Sequence, residues 1–303
     1  MKKIFIAYVL VTSVIGTVLM FSSYTGTAEK SSAEVEVPHT LPQIIKSIPL
    51  DKQFTFAGEI IPQTFDARER LDRELSVNAY WHSSTMLNMK NASRHFPMMD
   101  RILAEHGVPT DFKYLAVAES NLRNVVSSAS AKGFWQFRKL AAKEFGLEVN
   151  DEVDERYHVE KATIAAAKYL KQLHRRWGNW IDAAASYNIG PTRYSKLRKA
   201  QGETNYFNMH LTDETSRYVF RLVAIKEIMT NPDVYGFYLE HGEKYHDLPP
   251  FQEIKVEKSV SNWGEFADQY GVSYREFKLY NPWLIDTKLT VINNKYTVKV
   301  PIR

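Results

Sequence analysis

The chain contains no cysteine. That excludes disulfides, a lipid-modified N-terminal cysteine and zinc–thiolate sites. A chain of 303 residues without cross-links must be held by its core. Charge of one sign is also scarce. The formal charge is +4, and it falls to +2 once residues 1–28, with Lys2 and Lys3, are set aside. This is too weak an excess to argue for nucleic acid. A basic stripe, a P-loop, a glycine-rich nucleotide fingerprint and internal repeats are all missing. Strand-like runs are few before residue 250.

What is present reads as a mostly α globular protein, since hydrophobic residues make up 44% and charged residues 24%. The chain opens Met1-Lys2-Lys3, runs uncharged from Ile4 to Phe21, and passes through small residues to Thr27-Ala28. A basic start, an apolar middle and a small-residue end are the parts of an export signal. The run would reach about 27 Å as a helix, enough to stay as a membrane anchor if it is not cleaved. Residues 1–28 are therefore expected to be a signal peptide or anchor, with cleavage favoured. Residues 29–55 read as a polar linker.

Residues 56–235 carry helical periodicity. Ala162, Ala165, Tyr169 and Leu173 form one apolar stripe, and Tyr218, Leu222, Ile225 and Met229 form another. Asn231-Pro232 should stop the last helix. Residues 236–250, with Gly242 and Pro249-Pro250, read as a connector. Residues 251–303 change character. Glu253–Glu257 and Tyr296–Val300 alternate as strands around a helical stretch at Trp263, Phe266 and Tyr270, which predicts a small α+β module of β-α-α-β type.

The informative segment is Asp111–Ser120. As a helix it puts Phe112, Leu115, Ala116 and Glu119 on one face, so a carboxyl sits on a buried stripe. Burial disfavours its charged form and raises its pKa, as a general acid requires. An ion pair with Arg123, four residues on, is the structural alternative. Two further clusters follow. Ser127–Phe137 mixes small residues, aromatics and the amide of Gln136, a mix suited to sugar rings. Ala183–Pro191 is an alanine-rich helix stopping at Tyr187-Asn188-Ile189-Gly190. Asp154, Glu155 and Asp182 have ordinary surface or capping explanations, and Asp111 faces partly away from Glu119.

Glu119-Ser120, Gly133-Phe134-Trp135-Gln136 and Tyr187-Asn188-Ile189-Gly190, in this order, resemble the lytic transglycosylases with a goose-lysozyme-like fold, the soluble lytic transglycosylase (SLT) catalytic domain. Trp135-Gln136-Phe137, Asp154-Glu155-Arg156 and Glu214–Val219 are most similar to the membrane-bound lytic murein transglycosylase D subgroup. The tail resembles a diverged LysM module, a peptidoglycan-binding unit, through Tyr270–Ser273, Leu279–Pro282 and Val300-Pro301. Its usual Gly-Asp-Thr-Leu is replaced by Lys258–Ser261. Glycan binding by the tail and bracing of the helical domain are both open readings.

The resemblance implies a lysozyme-like helical catalytic domain over 56–235 and an exported, periplasmic enzyme of the cell envelope that acts on peptidoglycan glycan strands without metal or cofactor. It implies Glu119 as the single acid/base. Ser127 (or Ser128) would lie near the acetamido group, Gln136 on the glycan, and Tyr187 and Asn188 beside the acid and the scissile sugar. Tyr218 would line the cleft or serve the core. Phe134 and Trp135 would stack on sugars, with a core role for Trp135 as the alternative. A hydrolytic muramidase on the same fold, or a non-catalytic wall-binding protein, would keep parts of this pattern.

Overall fold

The computed structural model describes residues 46–292 and 295–302. The expected export segment (1–28) and residues 29–45 of the expected linker lie outside the described residues. The chain divides into two compact units, Met1–Ser47 and Ile48–Arg303, and only residues 46–47 of the first are described. Among the described residues no helix is long and apolar enough to cross a membrane.

The second unit is mostly helical, as the periodicity predicts. It opens with a tight antiparallel hairpin, β1 (Thr55–Phe56) and β2 (Glu59–Ile60), turning on Ala57 and Gly58 at positive φ. Eight helices follow: α1 (Phe65–Tyr80), α2 (His82–Glu105), α3 (Lys113–Ser120), α4 (Lys139–Glu144), α5 (Val159–Trp177), α6 (Trp180–Ile189), α7 (Pro191–Gln201) and α8 (Asp213–Thr230). Local signals bound them. The Thr64 hydroxyl and the Asn179 amide oxygen accept backbone N–H groups at the starts of α1 and α6. Gly178 and Gly202 end α5 and α7 in the left-handed conformation. Asn231-Pro232 stops α8.

Both predicted stripes face the core. Ala162, Ala165 and Leu173 are buried on α5, as are Tyr218, Leu222 and Ile225 on α8. Helix α6 is central, and its Ala183, Ala184 and Ala185 are all fully buried. Their small side chains let α5 and α8 pack close against it. Helices α1 and α3 pack against α8 in turn.

Residues 251–301 form the predicted β-α-α-β module: β3 (Phe251–Val256), α9 (Trp263–Asp268), α10 (Tyr274–Tyr280) and β4 (Tyr296–Pro301), with β3 and β4 antiparallel. Its core of Trp263, Phe277, Trp283, Leu284, Val298 and Val300 takes in Val153 from the helical domain. The seam is continuous backbone pairing. Asp154 N donates to Trp283 O (2.8 Å) and Ile285 N donates to Glu152 O (2.9 Å). The Glu152 carboxylate accepts from Thr290 N (2.6 Å), and Tyr296 donates to Glu148 (3.0 Å).

The same segment supports the excursion between α3 and α4. Asp154 and Arg156 are a buried ion pair, with the guanidinium donating to both carboxylate oxygens at 2.8 and 2.7 Å. Arg156 Nη1 then reaches the carbonyls of Ser130 (3.3 Å) and Phe137 (3.2 Å). Burial alone would raise the Asp154 pKa, but hydrogen bonds and charge from Arg156 and Lys132 outweigh it and hold the pKa low. The expectation of surface roles for Asp154, Glu155 and Asp182 is therefore corrected, because all three are buried. The capping reading fits Asp154, which accepts from Arg156 N at the start of a 3-10 turn.

Gly133 lies in this excursion at φ +79°, and a Cβ there would stand 1.9 Å from the Arg156 carbonyl oxygen. Gly178 has nearly the same φ, +81°, with open space around it. Gly178→Ala should cost only the left-handed penalty, about 1–2 kcal/mol. Gly133→Ala should cost about 2 kcal/mol more, since backbone must move. Denaturant unfolding of the two variants measures the difference, and equal losses would show that the turn yields freely.

Candidate functional site

Glu119 sits one turn beyond the fully buried Leu115 and Ala116 of α3, on the same face. Its carboxyl is half-buried and accepts a hydrogen bond from the Tyr218 hydroxyl of α8 at 2.6 Å. Burial pushes its pKa up to about 7 against the opposing pull of the Tyr218 hydrogen bond and the Arg221 charge, while Glu214 adds a further upward push. The ion pair with Arg123 does not form. Helix α3 ends at Ser120, Asn121 and Leu122 both turn left-handed at φ 52°, and Arg123 is exposed. The Asn121 side chain accepts from Asn88 (3.1 Å) and Ser84 (3.4 Å) of α2, which pins that helix end.

Three other links join the motifs. Ser120 Oγ lies 2.9 Å from the Phe134 carbonyl, on the Gly133–Gln136 turn, and 2.9 Å from the Ala116 carbonyl. Tyr187, near the end of α6, donates to the Trp135 carbonyl on that turn at 2.7 Å. Asn188 Oδ1 accepts from Thr215 of α8 at 2.9 Å, one turn before Tyr218. With the Tyr218–Glu119 bond, these links close a ring: α3 to turn, turn to α6, α6 to α8, and α8 back to α3. Burial and the Glu119 charge raise the pKa of both Tyr187 and Tyr218 well above the ordinary phenol value, so both hydroxyls keep their protons.

Of the residues expected at the site, Glu119, Tyr187, Asn188 and Tyr218 belong to this ring. Gln136 stands at its edge in the left-handed conformation, φ 48°, with its amide N–H groups donating to Gly133 O (2.7 Å) and Val125 O (3.2 Å). Ser127 closes its own turn, its hydroxyl accepting from Ala131 N at 3.0 Å, and Ser128 is exposed. No hydrogen bond joins Ser127 to Glu119 among the described residues. The stacking expectation for Phe134 and Trp135 gives way to a core role. Both are buried. Trp135 donates its indole N–H to Thr163 (3.0 Å), and the Phe134 ring meets the edge of His95.

Ser120, which the first motif names without a role, is a linking residue. So is Glu74 of α1, buried among Arg73, Arg217 and Arg221. Its signal was a carboxyl between buried Leu71 and Leu75, the same signal that marked Glu119. Asp111, which faces partly away from Glu119, is tied to Lys226 (2.6 Å) and to Ala57 N (2.8 Å) of the hairpin. Among the described residues no cluster of three or more His, Asp or Glu could hold a metal ion. A surface cavity of about 500 Å³ lined by Asp66, Arg70, Phe207 and His210 contains none of the ring residues.

Comparison with known proteins agrees with these motifs. Residues 100–210 match the transglycosylase SLT domain, and residues 252–303 match the soluble lytic transglycosylase C-terminal LysM-like domain. The chain is 26% identical over 247 residues to the membrane-bound lytic murein transglycosylase D of Escherichia coli strain K12, covering 80% of this chain and 53% of that protein. The protein of the same name from E. coli O6:H1 matches equally. The chain thus spans about half the length of these curated relatives. A solved structure of an inactive mutant of the lytic transglycosylase Slt from Pseudomonas aeruginosa aligns over 50% of this chain and 26% of that one, at 20% identity and TM-score 0.36. The two domain matches fall on the helical segment that carries Glu119, the Gly133–Gln136 turn and Tyr187-Asn188, and on the C-terminal module.

Proposed function

We propose that this chain is a peptidoglycan lytic transglycosylase of the cell envelope. It cleaves the β-1,4 bond between N-acetylmuramic acid and N-acetylglucosamine and leaves a 1,6-anhydro end, with Glu119 as its acid and base. The observation that carries this reading is a protonatable carboxyl, pushed up to about 7, held by Tyr218 within the ring of SLT motifs. Two-carboxylate glycosidases need a second free acid at a set separation. The carboxylate that acts electrostatically on Glu119 is Glu214, and both its oxygens are taken by Arg221. A single-acid route in which the substrate assists itself suits this arrangement.

In that route neutral Glu119 gives its proton to the glycosidic oxygen as the C1–O bond breaks. The substrate's own acetamido oxygen bonds to the anomeric carbon. The Glu119 carboxylate then takes the proton of the C6 hydroxyl, whose oxygen attacks the anomeric carbon and displaces the acetamido oxygen. Glu119 ends protonated and no water is consumed. Tyr218 keeps the carboxyl oriented through both transfers and stabilises its ionised stage. Tyr187 and Asn188 hold the Gly133–Gln136 turn and α8 around it, and Gln136 and Ser127 face the glycan. The LysM-like module serves first as a brace, since its core and the helical domain share Val153. Residues 1–28 would provide export, with the glycan strands of the wall as partner.

Purified residues 46–303 should release, from peptidoglycan, products lighter by one water than those of a muramidase, and Glu119→Gln should release none. Mass spectrometry reads this directly. Reducing-end products would assign a hydrolase using the same acid. No cleavage by the unaltered protein would favour a wall-binding role.

The raised pKa also carries a stability cost. The protonated form is favoured in the folded protein, so this contribution is full below the ordinary value of 4.5 and is lost as pH rises through about 7. Glu119→Gln should match the unaltered protein at pH 4 in denaturant unfolding and exceed it by about 3 kcal/mol at pH 8. A pH-independent difference would show that Glu119 is not desolvated in the folded state.

Cleavage needs protonated Glu119, so kcat/KM should fall as pH rises through about 7. Tyr218→Phe removes a bond that favours the ionised carboxyl. The alkaline limb should therefore move up, by about one pH unit. A limb that stays in place would separate Tyr218 from the acid.

A further inference from the structure

Helix α1 carries a second buried carboxylate. Glu74 of α1 is 1% exposed, and three arginines converge on it: Arg73 at 2.9 Å, Arg217 at 3.3 Å and Arg221, through Nε, at 3.3 Å. Arg221 turns its other two nitrogens onto Glu214, Nη1 at 2.9 Å and Nη2 at 3.2 Å. Arg217 likewise reaches Asp213 at 2.8 Å. Arg221 lies one turn after Tyr218 on α8, within electrostatic reach of Glu119. A guanidinium one turn along the helix from the carboxyl's own hydrogen-bond donor could pair with that carboxyl and keep it ionised. Here every nitrogen of Arg221 already faces another carboxylate.

We propose that Glu74 and Glu214 are positioning residues that hold Arg221 between them and so keep its guanidinium from pairing with Glu119, leaving that acid protonated until the glycan arrives. This inference rests on the single-acid reading of Glu119. The other groups around Glu119 do not supply the same control. From α8 they are Tyr218, Arg221 and Glu214, and from α6 Tyr187, with Tyr169 of α5 behind it. On α2, His95 is kept neutral chiefly by burial and by Arg94, and Asp100 is paired with Lys113. Asp111, before α3, is paired with Lys226. Arg221 is therefore the cation that acts on the acid, and Glu74 and Glu214 are its counter-charges.

The test is the pH profile of glycan cleavage together with a direct titration of the Glu119 carboxyl by carbon-13 NMR, assigned with Glu119→Gln. Glu214 is exposed, so Glu214→Gln should fold normally; Glu74→Gln loses a buried charge and serves as the second variant. Both should move the carboxyl titration and the alkaline limb to lower pH, by about one unit. Arg221→Gln should move both the opposite way. A uniform loss of rate or melting temperature with an unmoved titration would reduce the cluster to scaffolding and overturn the inference. If the titration moves as expected while the activity limb does not, the positioning holds and the catalytic reading of Glu119 fails instead.

Discussion

The proton on Glu119 is the constraint that the rest of the site serves. A carboxyl at the end of an apolar helical stripe is costly to ionise, and the structure keeps that cost without relieving it by an ion pair. Helix α3 stops one residue later, so the following cation turns away. One neutral donor, Tyr218, orients the carboxyl. A phenol can hold either protonation state, donating to the neutral or the charged acid, whereas a guanidinium would select only the charged one. In the proposed single-acid route, Tyr in place of Arg at this contact is what would let one group act as both acid and base.

That contact is one of four that close the ring of motifs. Each bond contributes about 1 kcal/mol when made, and each buried carbonyl or amide costs more if left alone. Ser120 and Tyr187 spend their hydroxyls on two neighbouring carbonyls of one turn, those of Phe134 and Trp135. The turn can present those carbonyls because Gly133 and Gln136 both take positive φ. Gly133 in turn lies against the Arg156 backbone, and Arg156 is locked to Asp154, whose own N–H pairs with Trp283 of the module. The C-terminal module and the Gly133–Gln136 turn are thus linked by a short chain of contacts.

Much of this was legible in the sequence. The apolar periodicity of α5 and α8, the stop at Asn231-Pro232, the β-α-α-β tail and the misplaced carboxyl on the stripe of α3 all follow from spacing. What failed did so for identifiable reasons. Aromatic side chains beside glycine suit a sugar surface and a core equally, and Trp135 and Phe134 went to the core because their backbone, not their rings, faces the site. Asp154 looked like a surface residue because its partner, two positions on, points inward with it. The β1–β2 hairpin was hidden by its length of two residues per strand, although Glu59 on it accepts the first N–H groups of α6.

Glu74 is the instructive omission. It shares the sequence signature of Glu119, a carboxyl on a buried helical face, and yet the two lie in opposite environments. Glu119 receives a neutral hydroxyl, while Glu74 receives three guanidinium groups, two of them from α8 some 140 residues away in the chain. No local pattern separates the two cases, because the difference is the charge that another helix brings. The same helix, α8, supplies both answers: Tyr218 to one acid and, one turn further, Arg221 to the other. Exchanging these two side chains would bury a guanidinium where Tyr218 is now 1% exposed and would place that charge against Glu119, so the two carboxyls would no longer differ in the donors they meet. The chemistry of this fold is therefore set less by where its carboxyls are buried than by how α8 distributes neutral and charged donors between them.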